Sequence, residues 1–225
     1  MLYLAVDQST SCGSLAVMRG TELTVERSWD DNAGANQALA RELTALQTAG
    51  SLDLARVDCF VLGVGPGAYS GLRSAIALVT ACALPGRQRL YALSSAEALA
   101  WQLAPRYNGR TIMVVGDARR GHLWYRVFRS RGLAPLIPET GWELCAPDAL
   151  PWRPGLVAVT SDWPRLGALL QAAAPGQAEL IQSAVYPTAA TLARLAAMRL
   201  ADAVASEPVR PIYLHAPVKT PVKNT

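Results

Sequence analysis

Apolar residues fall in short blocks along the chain, and the spacing inside each block predicts its element. Leu2–Asp7 (LYLAVD) is an apolar, strand-favouring run; QSTSCG after it reads as a turn, and SLAVMRG as a return strand. A second turn near Gly20 leads into LTVERSW, so the chain is expected to open on three antiparallel strands. Asn36–Ala49 places Leu39, Leu43 and Leu46 at helical spacing. Val57–Val64 (VDCFVLGV) is a continuous apolar run of strand length, the pattern of a strand buried on both faces. A glycine-rich loop follows, then a helix over Leu72–Leu84 and a strand at Gln88–Leu93. Ser94 and Ser95 are placed to cap the helix SAEALAWQLA, with Glu97 reinforcing its start.

Pro105 and the following RYNGR mark a junction. Beyond it, TIMVVGD repeats the design of LYLAVD: an apolar strand ending in aspartate, then a glycine-containing turn and a return strand (HLWYRVF). The recurrence at the start of each half points to an internal repeat. Loops rich in Pro and Trp then alternate with a strand (LVAVTSD) and a helix (PRLGALLQAAA), and Thr188–Ala205 reads as an alanine-rich helix. The end, APVKTPVKNT, has no apolar pattern and is expected to be disordered. The division expected is 1–105, 106–215 and a tail at 216–225.

Composition narrows the class. The chain has 225 residues, 51% apolar and 17% charged, which marks it as globular. Lys plus Arg exceed Asp plus Glu by 21 to 17, a bias that permits an RNA partner without requiring one. Cys12, Cys59, Cys82 and Cys145 form no C-x-x-C pair, which removes a zinc ribbon and a thioredoxin motif. There is no charged leader and no apolar stretch of membrane-spanning length, so a cytoplasmic protein with reduced thiols is expected. The two histidines, His122 and His215, lie in different halves, with no H-E-x-x-H pair and no G-x-S-x-G elbow. A zinc peptidase or serine hydrolase therefore lacks its motif.

The loop in GVGPGAYSGLRSAIALVTACAL (Gly63–Leu84) invites a phosphate reading, and two familiar cradles fail on detail. A P-loop needs its second glycine five positions after the first, followed by lysine; here Gly71 follows Gly65 by six and Leu72 comes next. A dinucleotide loop needs G-x-G-x-x-G, and Ser70 fills the third glycine's place. Two readings stay open: a tight turn with Ser70 capping the helix, or an anion site at the helix N-terminus assisted by Arg73. Asp7 and Asp117, at strand ends, either hold a metal-bound nucleotide or accept hydrogen bonds from their own turns. The helix itself has an apolar arc of Leu72, Ala75, Ile76, Val79 and Ala83, widened by Leu78 and Cys82. Its other arc carries Arg73, Ser74, Ala77, Thr80 and Ala81, with no acidic residue. A surface helix normally carries a solvated charged face. The first helix divides similarly, with Ala38, Arg41, Ala45 and Thr48 opposite its leucines. Either another helix packs on these small residues or each helix is sandwiched within its own domain.

Taken together, AVDQSTSCGSLAV, GVGPGAYSGLRSAIAL, GDARRGHLWYRVF, YPTAATLARLA and the late PIYL resemble the TsaB (YeaZ) family, over nearly the whole chain from Leu2 to Leu214. The resemblance implies an α/β, actin-like (ASKHA, ribonuclease H-like) fold of two related subdomains, each a mixed sheet flanked by helices. It implies a non-catalytic partner subunit of the system that attaches a threonylcarbamoyl group to the tRNA adenosine beside the anticodon. The partners implied are a TsaD-like catalytic subunit and a TsaE-like ATPase, with homodimers through the two helices of the first half when alone. Contact with tRNA would be indirect, and no membrane is involved. Catalytic members of the fold class have a D-x-G turn after the first strand, where this chain has Asp7-Gln8-Ser9-Thr10, so a side chain crowds the phosphate. The chain also departs from the family at Asn36-Gln37-Ala38 (commonly His followed by Ser-Glu), at His122 (often acidic) and at His215 (often Arg).

The expectation is therefore a scaffold without catalytic residues, resident metal or cofactor. A nucleotide is admitted only at the joint surface with the partner. The expected partner face comprises Ala38, Arg41, Ala45, Arg73, Ser74, Ala77 and Ala81. The expected residual nucleotide cleft comprises Asp7, Ser9, Thr10, Gly65, Gly67 and Asp117. The competing readings are a small kinase or ATPase of the same fold class and a peptidase.

Overall fold

The computed structural model, which describes residues 1–30, 37–176 and 178–214, contains two mixed sheets of one design. In the first, β1 (Leu2–Asp7) pairs antiparallel with β2 (Cys12–Arg19), and β2 with β3 (Glu22–Asp30). On its other side β1 runs parallel to β4 (Cys59–Gly63), and β4 parallel to β5 (Arg89–Leu93). In the second sheet, β6 (Thr111–Arg119) pairs antiparallel with β7 (His122–Arg129), and β7 with the short β8 (Ile137–Pro138) and β9 (Glu143–Cys145). β6 also runs parallel to β10 (Leu156–Thr160), and β10 parallel to β11 (Glu179–Ala184). The orders β3-β2-β1-β4-β5 and β8-β7-β6-β10-β11 match strand for strand. The repeated strand–aspartate–turn pattern of the sequence thus marks a structural duplication. The second copy is irregular at its turn: β6 continues past Asp117 to Arg119 through a register shift.

Among the described residues, five α-helices cover the sheets: α1 (Ala38–Thr48), α2 (Tyr69–Ala83), α3 (Ser95–Leu103), α4 (Trp163–Ala173) and α5 (Ala189–Ala201). Alternation along β1 explains their placement. Leu2, Leu4 and Val6 pack with Leu39, Leu43, Ala75 and Val79 of α1 and α2, while Tyr3 and Ala5 pack with Leu192, Leu195 and Ala196 of α5. On the second sheet, Ile112 and Val114 pack with Ala96, Leu99 and Ala100 of α3, and Met113 and Val115 with Leu166 and Leu170 of α4. The layers therefore run α1/α2, first sheet, α3/α5, second sheet, α4. Each half lends a helix to the other: α3 follows the first sheet in sequence but lies on the second, and α5 does the reverse. A cut at residue 105 separates the sheets and not the helices.

Three local expectations change. α2 begins one turn before Leu72, at Tyr69, with Ala68 as N-cap and no side-chain cap bond, so Ser70 lies inside the first turn. Ser94 does cap α3, accepting the Glu97 backbone N–H at 3.2 Å. The Glu97 side chain, however, ion-pairs with Arg199 of α5 instead of reinforcing the cap. α5 ends at Ala201, and the chain then returns along the edge of β5, where Ala92 N–H donates to Ser206 Oγ at 2.8 Å and Ala92 C=O accepts from Glu207 N–H at 3.0 Å. The expected tail at 216–225, Asn36 and His215 lie outside the described residues. No helix among the described residues is long and apolar enough to cross a membrane.

Candidate functional site

The glycine loop between β4 and α2 is pressed against the turn between β1 and β2. Ala68 N–H donates to Ser9 C=O at 2.7 Å. A Cβ on Gly67 would sit 1.9 Å from that same carbonyl oxygen, and one on Gly71 would sit 2.4 Å from Gln8 C=O. Neither distance leaves room for a side chain. From below, Gly65 N–H donates to Ser95 Oγ at 3.0 Å and Gly65 C=O accepts from Ser94 Oγ at 3.1 Å. Gly67 and Gly71 serve backbone-on-backbone packing, while the Ala68 amide engages the β1–β2 turn and the Gly65 amide and carbonyl engage the start of α3.

Asp7 sits under this contact, wholly buried. Its Oδ1 accepts from Ser9 N–H at 2.8 Å and from Ser9 Oγ–H at 2.6 Å. Its Oδ2, wedged between Gly63 and Ser95, meets no donor in hydrogen-bond geometry. Burial pushes the Asp7 carboxyl above the ordinary aspartate range, and the Ser9 and Ser95 hydroxyls offset part of that. The Ser9 hydroxyl is turned back onto Asp7 and not toward the space above the loop.

Above the loop, the C-terminal ends of the two sheets enclose a cleft of about 660 Å³. Ser9, Thr10, Gly67 and Asp117 line it, whereas Asp7 and Gly65 lie beneath its floor. The expected cleft set is thus only partly brought together, because the β1–β2 turn folds over its own aspartate. Thr10 Oγ1 is committed to Cys12 C=O at 2.9 Å. Asp117 accepts from Arg119 N–H at 2.7 Å and ion-pairs with Arg165 and, at 3.5 Å, with Arg119. Arg165 also reaches Asp162 at 3.2 Å; burial raises the Asp162 carboxyl, and the Arg165 charge offsets part of that rise. Two cations and two carboxylates therefore neutralise one another on the cleft wall. His122 is exposed, its Nδ1 3.1 Å from Arg120 C=O. Among the described residues no three His, Cys, Asp or Glu side chains gather to hold a metal ion.

The outward faces of α1 and α2 are the other candidate surface. Arg41 and Ala45 on α1, and Arg73, Ala77 and Ala81 on α2, are exposed; Ser74 is half-buried. Ala38 is the exception: it is 1% exposed and belongs to the buried face, because α1 presents it on the same side as Leu39. The exposed stripe of α2 is longer than its small residues suggest. It runs Tyr69, Arg73, Ala77, Ala81, Leu84, with Tyr69 58% and Leu84 73% exposed. Tyr69 escapes a reading that starts the helix at Leu72, although its place four residues before Arg73 is the signal that finds it.

No family model matches the chain. Among curated proteins, an uncharacterized protein of Mycobacterium tuberculosis is 32% identical over 126 residues, covering 55% of this chain and 57% of that protein. A Mycobacterium bovis counterpart matches to the same extent. The match thus spans little more than half the length of these curated relatives. Among solved structures, YeaZ from Pseudomonas aeruginosa has a TM-score of 0.78 at 22% identity, over 95% of this chain and 99% of that one. A second structure, described as an uncharacterized protein with similarity to peptidase YeaZ from Pseudomonas aeruginosa, has a TM-score of 0.76 over the same shares. With the duplicated sheets and exchanged helices, these superpositions establish that the chain shares the fold of YeaZ, two related halves each built on a mixed sheet.

Proposed function

We propose that this chain is a non-catalytic dimerisation and scaffold subunit of the TsaB kind. In this reading it pairs with and activates a TsaD-like transferase that, with a TsaE-like ATPase, places threonylcarbamoyl on the tRNA adenosine next to the anticodon. It works in the cytoplasm, meets tRNA through the complex and self-pairs when alone. The observation that carries the reading is the face of α2, exposed from Tyr69 to Leu84 without one acidic residue and backed by a fully apolar inner side. A helix left to face water alone carries a charged outer face. The small Ala77 and Ala81 let a second helix approach closely, and the exposed face of α1 lies on the same side of the first sheet.

The glycine loop supports the non-catalytic half of the reading. A phosphate held there needs free backbone amides and open space over the glycines. Here Ser9 and Gln8 carbonyls occupy that space and the Ala68 amide is bonded. The cleft beside it is what favours the second reading, an ATP-binding kinase or ATPase. Titration with magnesium-ATP separates the two: micromolar binding with turnover by the isolated chain favours the enzyme, and no heat favours the scaffold.

The direct test is Ala77→Glu with Ala81→Glu. Both positions are exposed, so the monomer is expected to fold and melt normally. Two carboxylates in a close helix–helix contact are expected to abolish co-elution with a TsaD-like subunit on size exclusion. Unchanged co-elution would remove this face as the pairing surface.

A further inference from the structure

We infer that the α2 face is keyed to an unlike, acidic partner in preference to a second copy of this chain, through a tyrosine–arginine cluster at its N-terminal end. The inference rests on the partner-subunit reading above and specifies the chemistry of the partner. The returning C-terminal segment, pinned where Ile212 N–H donates to Val64 C=O at 2.9 Å, delivers Tyr213 to the start of α2. There its ring lies 5.7 Å from that of Tyr69. Tyr213 is 53% exposed, so the pair stands in water as one aromatic platform. One turn along α2, Arg73 donates to the Tyr69 hydroxyl, and its guanidinium lies 5.1 Å from the Tyr69 ring centroid.

This arrangement holds an arginine in place before any partner arrives. A stacked guanidinium with a fixed fork loses less freedom when it grips a carboxylate than a mobile lysine does. Tyrosine and arginine are also the side chains that dominate interface energetics. Charge selects the occupant. α2 has no acidic residue, and the exposed charges of α1 and α2 are Arg41 and Arg73; the one carboxylate on these helices, Glu42, is half-buried. A second copy would bring this cationic face onto itself as water leaves, with no exposed carboxylate from either helix to meet Arg73. A partner presenting an apolar helix pair with a carboxylate opposite Arg73 answers both the alanine stripe and the cation. Self-pairing on this face is the weaker state.

Full-length chain is titrated into a TsaD-like subunit by calorimetry at low and high salt, and sedimented alone, for wild type, Arg73→Glu, Arg73→Lys and Tyr213→Ala. Arg73→Glu is expected to weaken unlike pairing by at least about tenfold and to flatten its salt dependence, with self-association undiminished. Tyr213→Ala is expected to weaken unlike pairing by about tenfold, and Arg73→Lys by less than Arg73→Glu. The clusters are exposed, so melting temperatures stay near wild type. The inference is overturned if Arg73→Glu binds the TsaD-like subunit as wild type does, or weakens self-association as much as unlike pairing. If wild type itself does not bind that subunit, the partner reading fails and takes this inference with it. Wild-type binding that Arg73→Glu leaves untouched sinks the inference alone.

Discussion

Gly67 and Gly71 are glycines because another stretch of backbone fills the space a side chain would need. At Gly67 the obstacle is the Ser9 carbonyl oxygen, 1.9 Å from a built Cβ, and that oxygen also accepts the Ala68 amide. Gly67→Ala must therefore push the hydrogen-bonded turns apart, and is expected to cost about 1–3 kcal/mol, because the atom in its way is a backbone carbonyl that cannot swing aside. Gly176→Ala meets nothing within 4 Å and is the control, expected within about 0.5 kcal/mol of wild type. Urea unfolding reads both; a Gly67→Ala midpoint equal to that of Gly176→Ala would show that the turns are not pressed together. The loop's failure to match either phosphate motif was legible from Gly65, Ser70 and Leu72. What fills it was not, because the obstacle is a backbone carbonyl far away in sequence, and carbonyls leave no mark on residue types. Asp7 shows the same limit: a strand-end aspartate was evident, but not that its own turn folds over it.

Between elements, the contact of most consequence joins the two exchanged helices. Glu97 on α3 ion-pairs with Arg199 on α5 where both side chains are largely out of water, at 8% and 16% exposure. Burial raises the Glu97 carboxyl above its ordinary 4.5, while the charges of Arg199 and Arg126 offset some of the rise and Glu207 adds to it. Removing the cation leaves an unpaired buried carboxylate, so Arg199→Met is expected to cost about 3–5 kcal/mol at neutral pH. The sign of its pH dependence follows from linkage. A carboxyl raised in the folded state binds more protons there than in the unfolded chain, so stability falls as pH climbs from 4.5 through the folded value. Arg199→Met raises that value further and is expected to lose least near about pH 5 and most near about pH 8, by guanidinium unfolding at both. Equal losses at the two pH values would mean that Glu97 is not the group left behind. The helices themselves were legible, α2 from its apolar arc and α3 from its serine cap, because each rests on local spacing. The pairing of Glu97 was misread as a capping box since the local motif fits; a partner on a distant helix won the side chain instead. β11 was missed for a different reason: ELIQSA is an edge strand, half-exposed, with too few apolar positions to alternate.

At the scale of the whole molecule, exchange of α3 and α5 decides how the protein unfolds. The first sheet needs α5 to cover Tyr3, Ala5, Ala16, Met18 and Val61, and the second needs α3 to cover Ile112, Val114 and Phe128. Burying a leucine-sized side chain contributes roughly 1.5–3 kcal/mol, and α5 alone brings Leu192 and Leu195, both fully buried, to the first sheet. Neither sheet keeps a two-sided core without a helix from the other half, so the junction at Pro105 is a boundary in sequence and not in stability. The repeat visible as LYLAVD and TIMVVGD foretold two sheets. It could not foretell the exchange, since an alanine-rich helix at Ala189–Ala201 fits equally well against either one. The chain is expected to unfold in a single transition, with far-UV circular dichroism and tryptophan fluorescence coinciding. The comparison is informative because four of the 6 tryptophans, Trp124, Trp142, Trp152 and Trp163, lie in the second half, while the dichroism reports both halves. A fragment of residues 1–105 is expected to be insoluble or molten, with one face of its sheet bare. The same fragment joined by a flexible linker to residues 186–214 is expected to recover a cooperative transition, because α5 then covers that face. Two resolved transitions in the intact chain, or a cooperatively folded 1–105 fragment, would show that the halves stand alone and that α5 covers a sheet already stable without it.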